Sequence, residues 1–175
     1  MSNRVLFAVL TAATMIGCSA GVSVNTDYDK AFDFRSIKTF KVQLGPAQSA
    51  SIAGVSPLTG QRVQAAIESE LKAKGYQKAA GTDADFVAVA HGGTQEEVSE
   101  GNWGYAGYWD GPVDSFTYTE GALVIDMVDL KSNKAIWRGV GKDIVGDEEP
   151  SEQKIDEAVG TVLNDFPPGV NAGAK

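Results

Sequence analysis

Cys18 is the only cysteine in this chain of 175 residues, and it ends an apolar N-terminal run. A single cysteine excludes any disulfide within the chain, so the fold must depend on its hydrophobic core. The apolar run, residues 5–16, follows the positive charge of Arg4 and precedes the small residue Gly17. These are the parts of a secretory signal peptide, which is removed from the mature protein and takes no part in its fold.

The segment around Cys18 predicts a lipid anchor. An apolar run of this length is too short to cross a bilayer, which needs about 20 residues. Residues 15–18 have the form of a bacterial lipobox, in which the Cys18 thiol receives a diacylglyceryl group and acyl chains such as palmitate. The alternative is an ordinary signal peptide that leaves a thiol free or paired between chains. The residue that follows Cys18 is Ser19 and not Asp. By resemblance to Gram-negative lipoproteins, this predicts that the protein is in the outer membrane and faces the periplasm.

The length and charge of the chain predict one domain. We interpret residues 1–17 as signal peptide, 18–27 as the lipidated N-terminus and tether, 28–168 as a single domain, and 169–175 as a flexible tail. The formal net charge is −8, and removing Arg4 makes it one unit more negative. Nucleic-acid binding is therefore disfavoured, because phosphate contacts require a basic face.

Two amphipathic helices have clear start and stop signals. Ser56 can cap the first helix, Pro57 suits its first position, and Gly75 suits a left-handed C-cap. Ser151 can cap the second helix, which Pro167 ends. The second helix carries one apolar stripe, formed by Ile155, Ala158, Val159, Val162, Leu163 and Phe166.

The strand pattern completes a two-layer α+β sandwich. Residues 37–44 alternate apolar and polar side chains, and residues 85–91 are apolar on both faces, as in a central strand. Residues 122–130 and 135–141 flank turn-forming residues and predict a β-hairpin. The order of elements predicts a mostly antiparallel sheet with two amphipathic helices packed on one face.

The hairpin register follows from where its turn is centred. A turn centred on Ser132 and Asn133 places Met127 opposite Arg138 and Asp126 opposite Gly139. Arg138 would then reach Asp129 diagonally across the pair.

We find no catalytic constellation, no metal site and no cofactor motif in the sequence. His91 is the only histidine, and it lies within an apolar strand, which favours a satisfied core or edge histidine over a catalytic base. Zinc sites of the His/Cys type are excluded, because the chain has only one histidine and no cysteine besides the lipidated Cys18. Asp126 interrupts an apolar strand and has two interpretations: a functional carboxylate, or a buried one satisfied by the backbone or by the Trp137 indole N–H.

A glycine- and aromatic-rich segment at residues 101–118 is the one unusual surface feature. Its candidate binding residues are Trp103, Tyr105, Tyr108 and Trp109. Exposed aromatic rings of this kind can stack on glycans or form a hot spot for a protein partner. Alternatively, these rings fold back and cover the face of the sheet that lacks helices.

Several short motifs together resemble one family. They are DYD at 27–29, FDF at 32–34, KTF at 38–40, LKAKGY at 71–76, ADF at 84–86, EGALVIDMVD at 120–129, IWRG at 136–139 and FPP at 166–168. In this order they resemble the bacterial lipoproteins grouped as domain-of-unknown-function family 4136. The resemblance implies a lipid-anchored envelope protein of α+β fold and supplies no catalytic residues.

These observations predict a non-enzymatic lipoprotein of the outer membrane with a binding or structural role in the cell envelope. Its expected contacts are the membrane, through Cys18, and a protein or glycan partner. The alternative function is a glycan- or peptidoglycan-binding module that uses residues 101–118.

Overall fold

The computed structural model describes residues 23–45, 56–81, 83–93, 122–142 and 150–169. Within these residues, strands form one open mixed sheet and two helices pack on one of its faces. The strands are β1 (Ser23–Tyr28), β2 (Thr39–Leu44), β3 (Gln77–Lys78), β4 (Phe86–Gly93), β5 (Ala122–Asp129) and β6 (Lys134–Lys142). The helices are α1 (Pro57–Ala73) and α2 (Glu152–Val162). The predicted two-layer α+β fold is confirmed.

The sheet has the order β1-β6-β5-β4-β2-β3. The pairs β1–β6, β6–β5 and β5–β4 are antiparallel, whereas β2 runs parallel to both β4 and β3. As a result, β1 and β5 start at the same end of the sheet at which β2, β4 and β6 finish. We call this the Ser23 end, and the opposite end, which carries the β5–β6 turn, the hairpin end.

β1 begins inside the segment that the sequence analysis interpreted as tether. Residues 23–28 pair with β6, with Ser23 opposite Lys142 and Tyr28 opposite Trp137. The strand is an edge strand with mostly exposed polar side chains, so it lacks the alternation by which a half-buried strand is recognised. The prediction that residues 23–27 are tether is therefore wrong, because pairing with β6 orders them.

The helix caps agree with the sequence. Ser56 accepts a hydrogen bond from the Thr59 amide, and Ser151 accepts one from the Lys154 amide. Gly75 has a φ of 92°, the left-handed conformation expected just after α1. Each side-chain cap accepts from an amide of the first turn that has no carbonyl partner four residues earlier in its helix.

The main core lies between the helices and one face of the sheet. Phe166 is fully buried and sits at the centre of an aromatic group. Its ring centroid lies 5.3 Å from that of Trp137, 5.6 Å from Tyr76, 5.9 Å from Phe86 and 6.0 Å from Phe34. Aromatic rings in this range pack favourably beyond their buried area, and this group joins the end of α2 to the sheet at its hairpin end.

Candidate functional site on the sheet face opposite the helices

A buried ion-pair cluster occupies the face of the sheet opposite α1 and α2. Asp126 on β5 lies directly opposite Arg138 on β6. Arg138 Nε donates to Asp126 Oδ1 at 2.6 Å, and Nη2 donates to Oδ2 at 2.9 Å. This is the bidentate geometry in which a guanidinium binds a carboxylate most strongly.

His91 on β4 completes the cluster from the other side of β5. Its Nε2 lies 3.0 Å from Asp126 Oδ2. His91 is opposite Val124 in the ladder, and Val89 is opposite Asp126, so His91 and Asp126 are diagonal neighbours on one face. Because an ionised carboxylate can only accept hydrogen bonds, the Nε2–H of His91 is the donor. The carboxylate thus bridges three adjacent strands.

Apolar side chains flank the cluster along the strands. One group contains Ala122, Val124 and Val140, and the other contains Val87, Val89 and Val128. His91 and Asp126 themselves are only 6% and 8% exposed. A carboxylate in such surroundings requires a compensating charge, which Arg138 provides.

The electrostatics of the cluster keep Asp126 ionised. Burial favours the neutral acid, but the positive charge of Arg138 and the hydrogen bonds from His91 and Arg138 outweigh it. The pKa of Asp126 therefore falls from 3.8 to about 2. A carboxyl group with this pKa has no proton to give near neutral pH, and a carboxylate this weakly basic is a poor general base.

The predicted hairpin register is wrong, and in that register Arg138 does not lie opposite Asp126. The ladder pairs Asp126 with Arg138 and Met127 with Trp137, with an irregularity between Met127 and Val128. The pairs next to the turn, Val128 with Ala135 and Asp129 with Lys134, lie two positions from the predicted register, and the extra residue Ile136 on β6 reduces this difference to one position in the pairs beyond it. Because side chains alternate between faces, a shift of one residue decides which carboxylate Arg138 can reach.

Trp137 does not satisfy Asp126, which corrects the second part of that prediction. Its side chain is fully buried on the helix side of the sheet, in contact with Phe166. Among the described residues, its indole Nε1 has no hydrogen-bond partner. The interpretation of Asp126 as a buried, satisfied carboxylate agrees with the structure, but its partners are Arg138 and His91.

A second carboxylate joins β2 to β4 at the hairpin end. Asp85 Oδ2 accepts hydrogen bonds from the backbone amides of Lys38 and Thr39, both at 2.8 Å, and from Thr39 Oγ1 at 2.9 Å. These bonds lower the pKa of Asp85. The Asp85 amide donates back to the Thr39 carbonyl at 3.0 Å. Asp85 is thus committed to fixing the start of β2.

The remaining candidates from the sequence were Cys18, Trp103, Tyr105, Tyr108 and Trp109, and all of them lie outside the described residues. Within the described ranges, no group of three or more His, Cys, Asp or Glu side chains is placed to hold a metal ion. No helix in the described part of the chain is long and apolar enough to span a bilayer.

A family model places the chain among known sequences. The model for DUF4136, a domain of unknown function, matches residues 24–168. The chain belongs to the DUF4136 family. No curated protein matches its sequence.

Solved structures share the DUF4136 fold. The chain is similar to the crystal structure of a DUF4136 family protein from Bacteroides thetaiotaomicron, with 22% identity, a TM-score of 0.57, and coverage of 83% of this chain and 96% of that one. It is also similar to a PDZ domain protein from Parabacteroides distasonis, with 14% identity and a TM-score of 0.53. That match covers 83% of this chain but 35% of the other. At these identities the likeness shows the fold.

The motifs that carry the DUF4136 resemblance have structural roles in this chain. The ADF motif at 84–86 supplies the Asp85 hydrogen bonds and the buried ring of Phe86. The IWRG motif at 136–139 supplies Trp137 to the core and Arg138 to the ion pair. The FPP motif at 166–168 supplies Phe166. The motifs therefore specify the fold, and none of these described residues forms a catalytic arrangement.

Proposed function

We propose that this protein is a non-enzymatic lipoprotein of the bacterial outer membrane, anchored through Cys18 and facing the periplasm, with a binding or structural role in the cell envelope. The observation that carries the proposal is the position of Cys18 at the end of the apolar leader, five positions before β1 begins at Ser23. A lipobox placed so close to the first strand suits attachment of the folded domain near the membrane.

The anchoring chemistry suits a permanent attachment. One acyl chain gives only marginal membrane binding, whereas two or three hold a protein stably. The acidic composition of the chain does not favour attraction to anionic lipid, so the acyl chains must supply the attachment.

The state of Asp126 supports a non-enzymatic role. One interpretation of this residue from the sequence was a functional carboxylate, and all of its described partners hold it in place. Its lowered pKa makes it unsuited to proton transfer near neutral pH. A cluster of this kind keeps three strands in register.

The length of the β4–β5 connection favours glycan binding as a second candidate function. β4 ends at Gly93 and its antiparallel neighbour β5 begins at Ala122, whereas most hairpin connections contain two to five residues. Long connections in compact domains are often functional. This one contains the segment 101–118 with its Trp and Tyr residues, which suit stacking on sugar rings.

The anchoring proposal is tested by Cys18→Ser with Ser19→Ala as the matched control. We expect Cys18→Ser to move the protein from the membrane fraction to the soluble periplasmic fraction, and Ser19→Ala to leave it in the outer membrane. The proposal also predicts that Ser19→Asp retains the protein at the inner membrane. A Cys18→Ser protein that still sediments with membranes contradicts lipid anchoring.

The glycan alternative is tested by tryptophan fluorescence during titration with peptidoglycan fragments. The chain has three tryptophans, of which Trp137 lies in the core. Glycan stacking predicts a change in emission that disappears in a Trp103→Phe/Trp109→Phe variant, where only Trp137 remains. An emission spectrum that does not change on adding the fragments rules out this alternative.

A further inference from the structure

The start of β1 fixes which end of the domain is nearest the membrane. Cys18 and Ser23 are separated by residues 19–22, and five residue steps of extended chain span at most about 18 Å. If Cys18 carries the lipid, the Ser23 end lies within this distance of the headgroups. The hairpin end, with the β5–β6 turn, then points away from the bilayer, because β5 and β6 run the length of the sheet.

Two exposed leucines lie toward the Ser23 end of the sheet. Leu58, in the first turn of α1, is 59% exposed, and Leu44, the last residue of β2, is 37% exposed. A Cβ built on Gly60 would lie 3.0 Å from Leu44 Cδ1, so the start of α1 lies over the end of β2 and both leucines belong to this end of the domain. A third leucine with 37% exposure, Leu130, lies in the β5–β6 turn at the hairpin end.

The first turns of α1 combine these leucines with a positive charge. Arg62 is exposed and follows Leu58 by four positions, which places both on one side of the helix. The first turn of α1 contains no acidic residue, and the N-terminus of a helix carries partial positive charge. A leucine beside an arginine suits the boundary between acyl chains and lipid phosphates, where the arginine reaches the phosphate layer.

We propose that Leu58, Leu44 and Arg62 form a second contact with the phospholipid headgroup layer and so fix the orientation of the anchored domain. The inference rests on the proposed anchoring through Cys18. β2 and β1 are four strand spacings apart, about 19 Å, so the leucines and the anchor hold opposite sides of the domain.

The contact requires the domain to lean toward α1. β4 extends three residues beyond the position level with Leu44, which is about 10 Å. The tether on the β1 side is long enough to permit this inclination. If this contact forms, the sheet is tilted relative to the bilayer normal. Leu58 then lies near the lipid phosphates and Leu130 lies in water.

The experiment uses the mature lipidated protein in phosphatidylethanolamine–phosphatidylglycerol vesicles that contain nitroxide-labelled lipid. Because lipidation consumes the Cys18 thiol, Leu58→Cys, Leu44→Cys and Leu130→Cys each introduce one free thiol for a fluorescent label. Leu44 and Leu130 are equally exposed in the domain, so they form a matched pair that should differ only in distance from the bilayer. We expect the lipid nitroxide to quench the labels at 58 and 44 several-fold more strongly than the label at 130.

An added Arg62→Glu substitution should reduce quenching at 58 toward the value at 130 while the protein still floats with the vesicles. Equal quenching at positions 58, 44 and 130, in protein that floats with the vesicles, would overturn the proposed orientation without contradicting the anchor. This holds whether the leucines face water or another protein. Failure of the proposed function looks different: the unsubstituted protein would then accept the thiol label at Cys18 and would not float.

Discussion

Asp126 and Arg138 lie directly opposite each other on β5 and β6, and two hydrogen bonds of 2.6 and 2.9 Å join the carboxylate to the guanidinium. His91 binds the same carboxylate from β4 at 3.0 Å. The three side chains connect adjacent strands on the face of the sheet opposite α1 and α2. This arrangement explains how a fold without disulfides tolerates charged residues among buried valines, and it leads to predictions about stability.

Removal of Arg138 should strongly destabilise the fold. Arg138→Met leaves Asp126 buried without its cation, and breaking a buried ion pair from one side costs about 3–5 kcal/mol. Arg35 provides the matched control, because it also pairs with an aspartate at 2.9 Å but its side chain is 90% exposed, against 13% for Arg138. Arg35→Met should cost at most about 1 kcal/mol. Urea unfolding measures both, and equal losses would contradict the account.

Stability should depend on pH through Asp126. The pKa of this group is about 2 in the folded protein, against its ordinary value of 3.8 in the unfolded chain. The unfolded chain therefore binds the proton first, so ionised Asp126 contributes stability above pH 3.8 that is lost as pH falls through 2. The contribution is about 2–3 kcal/mol. Unfolding free energies of wild type and Asp126→Asn, measured against pH, should show a shallower slope in the variant over this window; parallel curves would refute the assignment.

Gly139 should not tolerate a side chain. A Cβ at this position would overlap the Trp137 ring and lie 2.8 Å from Val162 Cγ1. Gly139→Ala therefore forces β6 and α2 apart and should cost about 1–3 kcal/mol. Gly81 has an ordinary φ, and no atom lies within 4 Å of the position that its Cβ would take, so Gly81→Ala is the control. The control should be neutral within about 0.5 kcal/mol. Thermal unfolding compares the two, and a neutral Gly139→Ala would show that the core is loosely packed there.

Asp85 should control the order of the chain just before and at the start of β2. Asp85→Ala removes the acceptor of the Lys38 and Thr39 amides and should cost about 1–3 kcal/mol. We also expect faster hydrogen exchange at these two amides. Unchanged exchange at Lys38 and Thr39 would mean that water replaces the carboxylate at no cost.

Local signals in the sequence predicted the helices well. Ser56 and Ser151 cap helices where expected, and the apolar stripe from Ile155 to Phe166 is buried. Caps and 3.6-residue periodicity depend on neighbours within a few positions, so the sequence contains the information directly. β1 was missed because an exposed, polar edge strand is specified mainly by its partner β6.

The ion-pair cluster could be predicted only in part. His91 and Asp126 each stand out as polar residues in apolar strands, but their contact depends on the β4–β5 register. The partnership with Arg138 depends on the irregularity at Met127 and Val128. No local pattern marks that irregularity, at which the consecutive residues Ile136 and Trp137 are both buried in the main core.

Intact mass spectrometry of the mature protein tests the proposed anchor most directly. The account predicts that the N-terminal residue is Cys18, carrying a diacylglyceryl group on its thiol and a mass that corresponds to two or three acyl chains. A mature chain that begins elsewhere, or one that begins at Cys18 with an unmodified thiol, would contradict both the anchor and the orientation derived from it.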